Sequence, residues 1–225
     1  MLQRMIAVIG PPAAGKTSLT IQLAQAPGCQ IFRLREHMPD AILAATATSA
    51  DRLGWIDDLT VARALRAYIE KTVFDDSAHT VLLDNFPGSA IQVRLLLGIL
   101  RRIAPACAVH AVDLIADAAV LDRRVRARRV CHQCERDPIH DPRLPAQARS
   151  NNPHRCACCG GVLHPRRGDA PRLLAARTRR YEAEAVGIRA AFLDADIVVW
   201  PLDGSRPLGV IVSDLSAFLA YKEHR

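Results

Sequence analysis

The sequence predicts an α/β fold in which helices cover a mostly parallel sheet, with a small cysteine-rich insertion interrupting it. Short apolar runs alternate with segments of helical period along most of the chain, the pattern of strand–helix–strand units. Half of the 225 residues are hydrophobic but only 4% are aromatic, so Ala, Leu, Ile and Val carry the apolar mass, which suits helices packed on a sheet. Between Val130 and about Pro165 the pattern stops: that stretch holds five Pro, five Cys and four His, with no regular period.

The elements follow in order. Met5–Ile9 is a continuous apolar run, as expected of a parallel strand covered on both faces. A Gly- and Pro-rich turn leads into a helix from about Lys16 to Gln25, stopped by Pro27-Gly28. The segment from about Cys29 to Val73 reads as mainly helical. Its clearest piece begins after Asp57-Asp58, where Leu59, Ala62, Leu65 and Ile69 recur at helical spacing. Val81-Leu82-Leu83-Asp84 is the next buried strand, with a carboxylate at its end. A helix over Ser89–Ile103, a strand near Ala108–Ile115 and a basic helix from about Asp117 to Arg129 come next. After the insertion a helix is expected from about Pro171 to Asp194, then a last strand at Ile197–Trp200 and a turn at Asp203-Gly204-Ser205. A closing helix over Pro207–Tyr221 has its proline near the first position. No internal repeat or low-complexity tract is visible.

The length suits one α/β domain with an insertion. A formal charge of +7, from 30 Lys+Arg against 23 Asp+Glu, points to anionic partners without separating nucleotides from nucleic acid or acidic membrane. Almost all of the positive charge is Arg, the side chain suited to bidentate phosphate contacts, although an Arg-rich codon bias accounts for part of it. No window reaches the ~20 apolar residues of a membrane span. The short apolar run at the N-terminus reads as a strand, not a signal peptide. A cytoplasmic protein is expected, its seven cysteines reduced.

Gly10-Pro11-Pro12-Ala13-Ala14-Gly15-Lys16-Thr17 satisfies G-x-x-x-x-G-K-[ST] between an expected strand and an expected helix, the context that motif requires. Glycines let successive backbone N–H groups curl around a phosphate at a helix N-terminus, where the helix dipole also favours anions. Lys16 brings a point charge to the β- and γ-phosphates, and the Thr17 hydroxyl suits Mg²⁺. Gly10, Pro11, Ala13, Ala14, Gly15, Lys16, Thr17 and Ser18 are therefore the expected ATP contacts. Asp84 suits the second magnesium-orienting carboxylate of such sites, with a helix or turn cap as the alternative.

Cys131-x-x-Cys134, 21 intervening residues and Cys156-x-x-Cys159 form two knuckles able to supply four thiolates to one tetrahedral Zn²⁺. An insert with scarcely any apolar core needs such a staple. Cys158, His132 and His154 are possible competitors for the metal. Disulfides are the alternative, disfavoured in a reducing compartment. A structural zinc is expected, since a catalytic one would need an open position and a base beside it. Cys29 and Cys107 sit in apolar neighbourhoods and read as core residues.

Taken in order, these blocks resemble the zinc-containing, long-lid adenylate kinases over nearly the whole chain. Leu83-Asp84-Asn85-Phe86-Pro87 followed by Gln92 is similar to the family's D-G-F-P-R-x-x-x-Q signature. Arg124-x-x-x-Arg128-Arg129-x-Cys131 resembles the entrance to the zinc lid. Leu163-x-x-Arg166-x-x-Asp169, then Arg177 and Tyr181, resembles its exit. Asp203-Gly204-Ser205-Arg206-Pro207 resembles the loop near the adenine of ATP. The resemblance implies a P-loop three-layer α/β/α fold with a five-stranded parallel sheet of order 2-3-1-4-5. It also implies a core at residues 1–28, 76–129 and 166–225, an acceptor-binding helical segment at 29–75 and a zinc lid at 130–165. Lys16, Arg124, Arg128, Arg166 and Arg177 would carry catalysis by neutralising the transferring phosphoryl, with Arg124 and Arg206 also against ATP. Arg123, Arg126, Arg129 and Arg167 would be surface or auxiliary phosphate contacts. A monomer acting on small-molecule nucleotides, with no nucleic-acid or membrane partner, is implied.

The acceptor side departs from the family. Its arginine after F-P is Gly88 here, and the glycine before F-P is Asn85. Its threonine–glycine–aspartate stretch reads Phe32-Arg33-Leu34-Arg35-Glu36, and the arginine expected soon after falls near His37 or Met38. Gln92 remains as a base-reading amide, and Arg33 and Arg35 could replace the missing phosphate contacts. With Asn85, Arg166 and Arg177 they make up the expected acceptor site. The implied reaction is transfer from ATP to AMP or a related nucleoside monophosphate. The alternative is a changed small-molecule acceptor; an alcohol would favour a base such as Glu36 or Asp40. A nucleic-acid-linked ATPase with a zinc ribbon and a silent nucleotide-binding regulator are the remaining readings.

Overall fold

A computed structural model describes residues 1–48, 56–76, 78–135, 142 and 144–223. Parts of the expected acceptor segment (49–55) and lid (136–141 and 143) lie outside the described residues. In chain order the first half runs β1 (Arg4–Ile9), α1 (Lys16–Leu23), β2 (Cys29–Phe32), α2 (Asp40–Thr48), α3 (Asp58–Asp75), β3 (Thr80–Asp84), α4 (Ala90–Ile103) and β4 (Ala108–Ile115). The second half runs α5 (Ala118–Ala127), β5 (Arg129–Val130), β6 (Ala148–Arg149), β7 (Asn152–Cys156), β8 (His164–Pro165), α6 (Pro171–Leu193), β9 (Val199–Asp203) and α7 (Leu208–Glu223). Short 3₁₀ turns occupy Leu34–His37 and Arg167–Asp169.

Five strands form one parallel sheet in the order β2-β3-β1-β4-β9, the expected 2-3-1-4-5 arrangement counted within this sheet. β1 lies at its centre, pairing Ile6 with Leu82 on one side and His110 on the other. The two-residue side-chain period of β1 divides the core. Met5, Ala7 and Ile9 face one layer with Val61, Leu65 and Ile69 of α3, Val93, Leu96 and Leu100 of α4, and Ile188, Ala191 and Phe192 of α6. Ile6 and Val8 face the other layer with Leu19 of α1 and Ile211, Leu215 and Leu219 of α7. Helices therefore cover both faces, and the strands need no polar side. No helix among the described residues is long and apolar enough to cross a membrane.

Three expectations change. Cys29–Phe32, expected within a helical segment, is a strand, because four residues of edge pairing to β3 satisfy its backbone groups. The last strand is Val199–Asp203, later than the expected Ile197–Trp200. It accommodates Pro201 because β9 is an edge strand, and a residue without an N–H is tolerated there. On α3 the buried face is Val61, Leu65, Ile69 and Thr72, while Leu59 in the first turn is 62% exposed. The helix starts where expected: the Asp57 carboxylate caps it by accepting from the Thr60 N–H at 2.9 Å.

The insertion has a separate, minimal core of Cys131, Cys156 and Leu163, with Ala146 against it. Its neck is an antiparallel pair, Arg129 opposite Pro165 and Val130 opposite His164. A second pair joins Ala148 with Cys156 and Arg149 with Asn152.

Candidate functional site

The site lies at the carboxyl end of the parallel strands, where ligands of open α/β sheets bind. The loop between β1 and α1 turns through left-handed residues: Gly10 at φ 143°, Ala13 at 67° and Gly15 at 107°. Interspersed left-handed residues curl successive N–H groups toward a common centre. Gly10 is required twice over, since a Cβ there would stand 2.5 Å from the Leu114 carbonyl oxygen. Gly204, after β9, packs on the other side of the loop, where a Cβ would lie 3.1 Å from the Ala14 carbonyl oxygen. Arg124 of α5 donates to that Ala14 oxygen at 3.1 Å. Pro11, Ala14 and Lys16 are buried, and Thr17 and Ser18 begin α1 half-buried.

Lys16 is folded back onto its own loop, donating to the carbonyls of Gly10 at 2.7 Å and Pro11 at 2.8 Å. Burial pushes its ammonium down to about 7; Arg177 and Arg128 add to the shift, and Asp84 and Asp113 oppose it. Thr17 Oγ1 donates to Asp84 Oδ1 at 3.2 Å, so the two groups that suit a magnesium ion are in contact. The other carboxylate oxygen of Asp84 accepts from Arg33 Nε at 2.9 Å, and Arg33 Nη1 lies 3.4 Å from Glu36.

The neck of the insertion and α6 add three arginines. Arg128, at the end of α5, makes a bidentate pair with the buried Asp169, its Nε at 2.7 Å. Arg177 of α6 donates to the Gly168 carbonyl at 3.0 Å and lies 3.8 Å from Asp169. Burial pushes Arg177 down to about 10, with Arg166, Arg128 and Arg35 depressing it further and Asp169 opposing. Lys16 thus feels Arg177 and Arg128, and Arg177 in turn feels Arg166, Arg128 and Arg35. Arg35, in the turn after β2, is itself lowered by burial.

Other expected residues are placed differently. Asn85 is exposed at φ 58°, the position at which the resembled D-G-F-P signature has glycine; asparagine is the side-chain-bearing residue that best tolerates that conformation. Both ends of the Gln92 amide are engaged within the protein, its oxygen by the Gly88 N–H at 2.9 Å and its nitrogen by Asp58 at 3.4 Å. Arg206 is half-exposed and pairs with Asp214 of α7. Reading the sequence did not single out Asp113. It is buried in β4 opposite Ile9, accepting from the Tyr181 hydroxyl at 2.9 Å and Arg189 Nε at 3.0 Å. Its signal was present, an acidic residue inside an apolar strand beside the phosphate loop, the same logic that selected Asp84.

In the insertion the thiols of Cys131, Cys134, Cys156 and Cys159 all lie within 4.8 Å of one another, with Sγ separations of 3.4 Å (131–159), 3.6 Å (134–156) and 3.3 Å (134–159). Four ligands at the ~2.3 Å Zn–S distance of a tetrahedral site stand about 3.8 Å apart, so the group can hold a zinc ion with little movement. The Cys159 backbone N–H draws Cys156 down to about 7, while proton sharing with the Cys159 and Cys156 thiols pushes Cys134 up. Cys158 and His154 are exposed and His132 is half-buried, and all three lie outside the group. Cys29 and Cys107 are half-buried, and burial pushes Cys107 up to about 11.

No curated protein matches the chain. The AAA_33 family model, an AAA domain, matches residues 5–138, more than half of the chain, from β1 through the first cysteine knuckle. The match takes in the phosphate loop, Asp84, Asp113 and the arginines of α5, and ends before Arg166, Arg177 and the second knuckle. A phosphate loop set in a parallel sheet is what the family shares, and on this match the chain belongs to the AAA_33 family of P-loop nucleotide-binding domains.

Proposed function

We propose that the chain is an ATP-dependent nucleotide kinase of the adenylate-kinase type, transferring the γ-phosphoryl of ATP to AMP or a related nucleoside monophosphate. The observation that carries this reading is that Arg128 and Arg177, both held by the Arg166–Asp169 segment and its Asp169 carboxylate, lie close enough to Lys16 of the phosphate loop to depress it, while Arg166 and Arg35 act in turn on Arg177. An ATPase needs charge at one phosphate site; cations on both sides of it suit a phosphoryl group passing between two anions.

The chemistry asks little else of the protein. A phosphate acceptor is already an anionic nucleophile, so no general base is needed and catalysis becomes alignment and charge neutralisation. The loop amides and Lys16 hold the donor phosphates, and Arg128, Arg166 and Arg177 neutralise the group in transfer. Thr17 and Asp84 would hold Mg²⁺, which when bound offsets charge on the donor phosphates. Cys131, Cys134, Cys156 and Cys159 would hold a structural zinc that keeps the lid folded, and lid closure keeps water from the phosphoryl group. The protein works as a cytoplasmic monomer on small molecules, without nucleic-acid or membrane partners.

A second reading, a kinase of the same scaffold with a changed acceptor, is favoured by particular departures. Gln92 is engaged by Gly88 and Asp58, and Gly88 supplies no side chain where the family has an arginine. One experiment separates the two: ADP formation from ATP over a panel of AMP, other nucleoside monophosphates, nucleosides and sugar phosphates, with Lys16→Ala as the blank. Turnover with a nucleoside monophosphate supports the first reading. Turnover confined to another class establishes the second, and nucleotide binding without turnover refutes both.

A further inference from the structure

Arg33 occupies a position at which a metal-dependent phosphotransferase has no need of a cation. Asp84 is buried, and both of its oxygens are engaged, Oδ1 by the Thr17 hydroxyl and Oδ2 by Arg33 Nε. A divalent ion held by Thr17 and Asp84 would therefore lie beside the Arg33 guanidinium, positive charge against positive charge. Like charges so close in a partly buried site oppose one another. Magnesium binding and the Arg33–Asp84 pair thus compete for one carboxylate.

Arg33 cannot leave Asp84 without a replacement. Its side chain is 16% exposed, and its Nη2 is buried with no hydrogen-bond partner among the described residues. Removing this guanidinium from Asp84, its one buried carboxylate among the described residues, leaves an uncompensated charge, which is strongly unfavourable. Glu36, 3.4 Å from Nη1 and 40% exposed, can tether the guanidinium at the solvent side but does not meet Nη2. An anionic oxygen arriving from the acceptor wall would meet it. A neutral alcohol or nucleoside would not.

Resting on the kinase reading above, we propose that Arg33 is the specificity-determining residue of the acceptor site. It selects an acceptor bearing a phosphate, and the acceptor, by drawing Arg33 off Asp84, frees that carboxylate for magnesium. Acceptor and metal then bind with positive coupling, and the donor is not activated until an acceptor is present. Arg33 acts through Asp84 and is a positioning residue for the metal.

The test is the affinity of Mn²⁺, standing in for Mg²⁺, for the full-length protein saturated with a non-hydrolysable ATP analogue, followed by electron paramagnetic resonance. Each of AMP, the other nucleoside monophosphates, inorganic phosphate and adenosine is then added. We expect at least one phosphate-bearing probe to tighten Mn²⁺ binding about tenfold, within the range of ordinary coupling between sites, and adenosine to leave it unchanged. In Arg33→Gln, Mn²⁺ should bind tightly without any probe and respond to none. The wild-type comparison of phosphate-bearing probes with adenosine stands whether or not the variant folds. Equal Mn²⁺ affinity with and without every phosphate-bearing probe, or an equal effect of adenosine, overturns the proposal. Coupling without phosphoryl transfer to any acceptor would support it while refuting the kinase reading. Transfer without coupling would do the reverse.

Discussion

Lys16 should make the unliganded protein more stable as the pH rises above neutrality. Its amine falls from 10.5 to about 7 in the folded chain, chiefly through burial, a difference of about 5 kcal/mol against the ammonium form. The neutral amine has two N–H groups, which match its two acceptors, the carbonyls of Gly10 and Pro11. Because the folded value is depressed, the unfolded chain binds more protons between about pH 7 and 10.5, and stability climbs with pH across that window. Integrating between these two values gives a gain of about 2 kcal/mol from pH 7 to pH 9. Lys16→Met removes the titrating group and the two hydrogen bonds, the latter a loss independent of pH. Urea unfolding of both proteins at pH 7, 8 and 9, with zinc and reductant held constant and nucleotide absent, should show the wild type gaining about 2 kcal/mol relative to the variant. Titrating groups remote from Lys16 cancel in the difference. Parallel stability curves for the two proteins would refute the buried, neutral lysine.

Zinc analysis should find about one ion per chain, falling below about a tenth in Cys156→Ser, while limited proteolysis cuts the insertion and spares the sheet domain. Gly10→Ala forces a left-handed alanine with its Cβ 2.5 Å from the Leu114 carbonyl oxygen; chemical unfolding should show a loss of at least about 2 kcal/mol, and calorimetry weakened ATP binding. Leu65→Ala, fully buried under the sheet, should cost about 2–5 kcal/mol, whereas Leu59→Ala should stay within about 0.5 kcal/mol; comparable losses would contradict the assigned face of α3.

The features legible in the sequence were those held by local chemistry. The phosphate loop needs glycines at fixed places beside Lys16, and the knuckles need paired cysteines, so spacing alone exposes both. Met5–Ile9 and Val81–Asp84 announced themselves because both faces of a central parallel strand are apolar. The edges were harder. Cys29–Phe32 has only four residues and one partner strand, and its half-buried surface gives no clear period. Val199–Asp203 contains Pro201, which argues against a strand until its edge position is known. On α3, Leu59 and Ala62 match the helical period as well as Val61 does, and only the sheet decides which side turns inward. Asp113 was passed over because its partners, Tyr181 and Arg189, are about 70 residues away in the chain. For the same reason the pairing of Arg33 with Asp84, across 51 residues, could not be read from either position.

The neck of the insertion carries a consequence for how such a molecule can change. Arg129–Val130 and His164–Pro165 run side by side, so the chain leaves the sheet domain and returns to it at nearly the same point. The two ends are one strand spacing apart, about 4.8 Å, a gap that a tight turn also closes. The sheet domain therefore places almost no geometric demand on what is hung there. Any insert whose two ends meet at that spacing, whatever its length or the means that hold it folded, would fit the same socket. Lengthening, trimming or replacing this piece would leave the surrounding layers in register.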